Sequence, residues 1–295
     1  MNKLLNTNII TKNCSNIMKI SKKNNYTIIY TKDNRYLLKK KSLVDENNRL
    51  SLRELGYFDK LITIDSDSSN QLFLIDSNSQ STLFEELLKI HKITMNTIEI
   101  DGSVKEEKYK EIVKLLDKKF NYYYQKQINI QEKIFPSAGE YLLLLNISKI
   151  YKLLNWARYY VEKWFKIENV CFQKCLLVNK IDLNNYWEGL IVDYSESYFD
   201  YLVFELAKYY KIYFESTSLE TILDNYQLFE SEKYYLYVLL ALVEEVVFSF
   251  DNYKDVILIR RKINYIDSLL TYFLKEDKEN QETNKQKFKE ENNNV

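Results

Sequence analysis

Hydrophobic positions along the chain fall into two regimes. The first 80 residues carry short β-prone runs. Tyr26 to Tyr30 and Arg35 to Lys39 are separated by Thr31-Lys32-Asp33-Asn34, which predicts a hairpin. Leu61 to Ile64 and Gln71 to Ile75 flank the polar stretch from Asp65 to Asn70 and add two further strands. From Ser81 the period becomes helical, with Leu83, Leu87, Leu88 and Ile90 near one face and Thr82 placed as a cap. A second helix is predicted from about Lys105 to Ile130. After the only proline, Ser137-Ala138-Gly139-Glu140 is a capping-box sequence that opens a long helix to about Ile167. Residues 170–194 return to strand character, with Cys175 to Val178 and Leu190 to Asp193 placed around a tight turn at Glu188-Gly189. Helices follow near 199–214, 218–229, 231–250 and 254–275.

Composition sharpens this picture. A chain of 295 residues is long enough for two lobes, each with its own apolar core, and 46% hydrophobic residues exclude a disordered chain. Only four glycines and one proline punctuate it, so turns fall to Asn, Asp and Ser and long helices are expected. The expected class is α+β: a β-rich N-terminal lobe over 1–80, a helical lobe over 81–275 with an inserted β-hairpin near 175–194, and a polar tail over 276–295 that need not be packed.

Lys plus Arg and Asp plus Glu number 42 each. The summed field therefore gives no reason to expect nucleic acid or an acidic membrane surface as a partner. Cys14, Cys171 and Cys175 are odd in number and lack CxxC spacing, which indicates neither a disulfide framework nor a zinc site. Residues 1–13 hold no apolar core segment, and no stretch approaches the roughly 18 apolar residues of a membrane span. The richest apolar window, Tyr234 to Val247, is interrupted by Glu244 and Glu245 and reads as a buried helix. A cytoplasmic location is the expectation.

Isolated chemistry is sparse. His91 is the only histidine, no Ser-His-Asp or Cys-His spacing includes it, and it reads as structural. The carboxylates of Glu85/Glu86 and Glu244/Glu245 diverge by about 100° on a helix and do not form an acid/base pair. Trp156, Tyr159, Tyr160, Trp164 and Phe165 read as the core stripe of a helix. Lys39, Lys40 and Lys41 read as the solvated end of a strand.

Longer segments carry a resemblance. The stretch Leu83 to Thr94, with His91 inside it, resembles the LAxLHxxT helix of the aminoglycoside/choline phosphotransferase-like superfamily, in particular a spore-coat-associated kinase-like branch. Ser137 to Tyr151 resembles that branch's long C-lobe helix. Leu176 to Asn185 occupies the place of its catalytic loop, and Leu190-Ile-Val-Asp193 and Phe204-Glu205-Leu-Ala resemble the metal-aspartate strand and the helix after it. The likeness covers about residues 20–280 and implies a two-lobe protein-kinase-like fold.

The superfamily's catalytic loop reads H-G-D-x-x-x-x-N, in which the Asp handles the substrate proton and the Asn helps hold magnesium. Here the positions read Val178, Asn179, Lys180 and Asn185. The resemblance thus puts Lys180 where the base belongs, and an ammonium cannot accept a proton. It implies Asn185 and Asp193 as metal ligands, Lys39 as the strand lysine that meets nucleotide phosphates, and Glu54, on a short helix from Leu50 to Leu55, as that lysine's partner. Glu205 takes the position of a structural carboxylate. No glycine precedes Gly56, so the glycine-rich phosphate loop is missing. The expectation is a catalytically inactive pseudokinase that binds or scaffolds a protein partner, with no assured cofactor. The alternatives are an unconventional small-molecule phosphotransferase using ATP and magnesium, and a structural component of a spore or cell-surface layer.

Overall fold

The computed structural model describes residues 8–23, 26–57, 60–75, 81–182, 184–249 and 251–293, with side chains as far as Glu279. It is an α+β protein with a β-rich N-terminal sheet and a helical C-terminal part. The chain forms two compact units, Met1–Asn96 with Lys174–Glu205, and Thr97–Gln173 with Leu206–Val295. This differs from a division near residue 80, because the loop and hairpin after residue 174 pack with the N-terminal sheet.

In the first unit, α1 (Asn8–Asn13) precedes β1 (Ile17–Lys22), β2 (Tyr26–Thr31) and β3 (Arg35–Lys40); α2 (Leu43–Glu54) precedes β4 (Leu61–Ser66) and β5 (Asn70–Ile75). The strands form one antiparallel sheet ordered β1-β2-β3-β5-β4. The expected hairpin of β2 and β3 is present, the two further expected strands pair as β4 and β5, and the turn at Thr31 is closed by its hydroxyl and main chain bonding to Asn34. Alternation along the strands sorts the side chains onto two faces. Tyr26, Ile28, Leu37, Leu61, Phe73 and Ile75 pack with Leu190, Val192 and Trp187, whereas Ile29, Leu38 and Leu72 pack with Ile9, Ile10 and Cys14. Lys39, two residues beyond Leu37, shares the first face.

The helix α3 (Leu83–Thr94) starts at a capping box formed by Thr82 and Glu85. Farther along, β8 (Tyr186–Trp187) and β9 (Leu190–Ile191) form the inserted hairpin. Its turn residues Glu188 and Gly189 both have positive φ, 42° and 82°, as a two-residue hairpin turn of primed type requires. The sequence placed Cys175 to Val178 opposite Leu190 to Asp193. Instead β7 (Cys171–Leu177) pairs with β10 (Tyr198–Tyr201), Tyr198 facing Leu177 and Tyr201 facing Lys174.

The second unit includes β6 (Asn96–Glu99) from Thr97 onward and is built on α5 (Ala138–Lys166), opened by the Ser137–Glu140 capping box. Its buried residues Leu143, Ile147, Ile150, Leu154, Ala157, Val161 and Trp164 recur every three or four positions and meet α4 (Gly102–Gln131), α8 (Glu230–Ala241) and α9 (Asn252–Asn293). Tyr160 and Trp164 are core residues, while Tyr159 and Phe165 lie at its edge. Gly139 is needed where α5 meets Asp255, since a Cβ there would stand 2.9 Å from the Asp255 Cβ. α6 (Leu202–Tyr213) and α7 (Leu219–Asn225) complete the helices. Among the described residues no helix is long and apolar enough to cross a membrane.

Two expectations change. The helix expected over 231–250 stops at Ala241, because side chains take over the carbonyls beyond it: Tyr123 and Lys262 bond to Glu244 O, and Tyr122 bonds to Val246 O. Over the expected tail, the backbone of α9 continues helical to Asn293.

Glu232, at the start of α8, accepts the amides of Gln173 and Phe229. Burial, opposed by those two bonds, pushes its carboxyl up from 4.5 to about 7. The folded chain therefore holds this proton longer than the unfolded chain, and the stability it contributes below about pH 4.5 is lost as pH rises through 7. Urea unfolding should show wild type losing about 1–3 kcal/mol more than Glu232→Gln between those pH values; parallel profiles would contradict the assignment.

Candidate functional site

The site lies wholly within the first unit and begins with β3. Its alternation aims Lys39 at the face that carries Phe73, whose ring centroid lies 5.6 Å from Nζ. There Lys39 Nζ donates to Asp45 Oδ2 at 2.6 Å and to the Val192 carbonyl at 2.9 Å. Asp45 stands in the first turn of α2, which Ser42 caps by accepting the Asp45 amide. Arg49, one turn on, donates Nε to Asp45 Oδ2 at 3.0 Å and Nη2 to Val192 O at 2.6 Å, and the Tyr194 amide donates to Asp45 Oδ1 at 2.7 Å. Asp45 is fully buried and Lys39 and Arg49 nearly so. Burial, with the nearby Arg49, brings the Lys39 ammonium down to about 8 against the opposing pull of Asp45 and Asp193.

Two expectations are corrected here. Lys39 is not a solvated strand end, although Lys40 and Lys41 are exposed. Its carboxylate partner is Asp45 and not Glu54, which is exposed at the far end of α2. The helix was expected only from Leu50; Ser42 followed three residues later by Asp45 is the start signal that would have extended it.

The loop after β7 is fixed by two side chains. Glu205 accepts the amides of Val178 and Asn179 at 3.1 and 2.6 Å and meets His91 Nε2 at 2.7 Å, with His91 and Glu205 both buried. His91 is thus structural in its setting, and Glu205 makes the hydrogen bonds foreseen for it. Asn179 adopts φ 61°, in the left-handed region that asparagine tolerates better than most residues. The Asn185 amide donates to the carbonyls of Lys180 and Asp193 at 2.9 and 2.8 Å and accepts the Asp193 amide at 2.7 Å. Asp182 accepts the amides of Asn184 and Asn185 and turns the loop.

Asp193 follows β9. Its Oδ1 accepts the Ser195 amide at 3.0 Å, and its Oδ2 accepts the Ser195 hydroxyl at 2.8 Å and Lys180 Nζ at 3.1 Å; Lys39 Nζ stands 3.9 Å from Oδ1. Burial would raise its pKa, but the bonds from Ser195 and the charges of Lys39 and Lys180 outweigh it and keep the carboxylate ionised. Lys180 also reaches Glu196 at 2.9 Å. Burial acts to lower the Lys180 pKa, and the two carboxylates overcome it and raise it. Lys39, Lys180, Asn185 and Asp193 line one cleft of about 330 Å³ together with Tyr26, whose buried hydroxyl has no hydrogen-bond partner among the described residues.

In this structure the groups that a divalent cation would use are already engaged. The Asp193 carboxylate already carries an ammonium, and the Asn185 amide is committed to backbone on both sides. Among the described residues no group of three or more His, Cys, Asp or Glu is placed to hold a metal ion.

No family model and no curated protein matches the chain. Among solved structures it is similar to an aminoglycoside phosphotransferase from Alicyclobacillus acidocaldarius, at 11% identity and TM-score 0.48 over 91% of each chain. It is also similar to the spectinomycin phosphotransferase APH(9)-Ia, at 12% and 0.43 over 83% of this chain and 90% of that one. For the choline kinase LicA from Streptococcus pneumoniae the values are 14% and 0.36 over 90% and 97%.

The Asp45 cluster has a direct test. Asp45→Asn strands two buried cations and should cost about 3–5 kcal/mol of unfolding free energy, whereas Glu54→Ala should stay within about 0.5 kcal/mol of wild type. Chemical denaturation of both variants measures the difference, and comparable losses would return the pairing to Glu54.

Proposed function

We propose that the chain is a kinase-like protein with a degenerate catalytic loop, a pseudokinase that acts in the cytoplasm by binding or scaffolding a protein partner. The observation that carries this reading is the Lys180 ammonium, 3.1 Å from the Asp193 carboxylate and 2.9 Å from Glu196. At the loop position where a base would take the substrate's proton stands a group held protonated, which can take none. The same ammonium neutralises the carboxylate that would otherwise attract magnesium.

A second reading, an unconventional phosphotransferase using ATP and magnesium through Asn185 and Asp193, is favoured by the Lys39–Asp45 pair. A strand lysine held by a helix carboxylate is the arrangement an active kinase needs. The resemblance to the spore-coat-associated branch adds a finer reading, a structural role in a surface layer, which recovery of the chain in a coat or envelope fraction would support.

Thermal unfolding with magnesium and ATP, beside a phosphoryl-transfer assay, separates the first two. Wild type should show no magnesium-dependent transfer, and millimolar magnesium should leave its Tm unchanged. Lys180→Asp replaces the ammonium beside Asp193 with a second carboxylate, and magnesium should stabilise that variant by about 2.7 kcal/mol at a hundredfold excess over Kd. Magnesium-dependent transfer by wild type that is lost in Asp193→Ala would overturn the pseudokinase reading in favour of the enzyme.

A further inference from the structure

A second cleft lies entirely in the helical unit, between the end of α6, the segment after α8 and the first turns of α9. It encloses about 320 Å³, within the roughly 300–1,000 Å³ usual for small-molecule sites. Its walls are Ile212, Phe214, Leu242, Val243, Leu258 and Tyr265, and three cations, Lys211, Arg261 and Lys262, line it together with one carboxylate, Glu244, which leaves the cations in excess. The whole chain is neutral, so this concentration is not a reflection of general basicity.

The hydrogen bonds these cations make leave donors to spare. Arg261 donates one Nη2 bond, to the Ile212 carbonyl at 2.8 Å, and its guanidinium lies 5.9 Å from the Phe214 ring centroid. Lys262 Nζ donates to Glu244 O at 2.6 Å and, more weakly, to Glu245 O at 3.5 Å. Five N–H donors on the guanidinium and three on each ammonium exceed that use. Among the described residues Lys211 has no hydrogen bond and no carboxylate within 4.0 Å; the Glu244 charge acts on it from farther away. The Glu245 carboxylate is engaged by Lys119 at 3.4 Å. Burial lowers the pKa of Lys211, and it brings Lys262 down to about 8. Glu244 is one carboxylate for three cations and makes no ion pair within 4.0 Å with Lys211 or Lys262, so the excess positive charge of two desolvated ammoniums is costly unless an anion joins them.

We propose that this cleft binds a small organic anion whose single acidic group meets Lys211, Arg261 and Lys262 while its apolar body lies against Phe214, Leu242 and Leu258. The walls decide the class. A polyanion or a sugar would leave polar groups unpaired against them, and a neutral hydrocarbon would leave three cations balanced by Glu244 alone. The acidic group is a carboxylate or a phosphate monoester, which offer the same charge to the same donors. This site is independent of the reading of Lys180 and Asp193.

Isothermal titration of the full chain with octanoate, octyl phosphate and octanol tests the proposal. Either or both anions should bind saturably, with octanol at least tenfold weaker, and the tighter anion identifies the acidic group. Lys211→Met keeps the length of the side chain and removes its charge. It should weaken the anion at least tenfold while thermal stability stays equal or rises, because a half-buried ammonium that makes no ion pair within 4.0 Å is gone. Leu258→Asp, at a position 57% exposed, should also weaken the anion by placing a like charge in the cleft. Failure of both anions to saturate at millimolar concentration, octanol binding as tightly as the anions, or unchanged affinity in Lys211→Met would each overturn the proposal.

Discussion

A carboxylate withdrawn from water costs several kcal/mol unless donors replace its hydration, and Asp45 has such a set. Lys39 reaches it from β3, Arg49 from the next turn of its own helix, and the Tyr194 amide from the chain beyond β9. Three parts of the first unit far apart in sequence thus converge on two oxygens. Lys39 and Arg49 share a second acceptor, Val192 O. The strand end that carries Asp193 is therefore held to the sheet by the same two cations that hold Asp45. A change at Asp45 would disturb the position of Asp193 without touching it.

The other side of the site is held in the same manner, by a carboxylate and an amide turned toward backbone. Glu205 fixes the two amides that enter the loop, with His91 behind it, and Asn185 joins Lys180 to Asp193 through main-chain bonds alone. This geometry keeps Lys180 within reach of Asp193. It also accounts for Asn185 at that position, since its three bonds close the gap between loop and strand.

Much of the fold was legible in the sequence, for reasons visible in particular elements. The hairpins at Thr31–Asn34 and Glu188-Gly189, the Ser137–Glu140 box and the helical stripe of α5 are local signals that tertiary structure had no cause to override. β1, α1 and the first half of α2 were not legible. Their burial is set by the sheet they join, and polar stretches such as Leu43 to Arg49 show no apolar period. The end of α8 was misplaced because the contacts of the chain beyond it are non-local: tyrosines 122 and 123, more than 100 residues upstream, and Lys262 take the carbonyls of Glu244 and Val246. The site residues Lys39, Lys180, Asn185 and Asp193 were named by resemblance. That they share one cleft, and that Asp45 stands behind them, required the coordinates.

The presence of Asp193 and Asn185 in the cleft is weak evidence for a metal once their bonds are counted. Asp193 caps the turn to Ser195 and balances Lys180, and Asn185 serves the backbone, so each has a structural reason to be where it is. Lys180 has no such independent reason. Among the described residues its ammonium pairs with Asp193 and Glu196 alone, a quarter of its side chain is exposed, and the loop would keep its Asn185 and Glu205 bonds without it. A partly exposed ion pair of this kind contributes at most about 1 kcal/mol to stability. The lysine therefore bears on the chemistry of the cleft far more than on the fold: it sets the charge that any ligand there must meet.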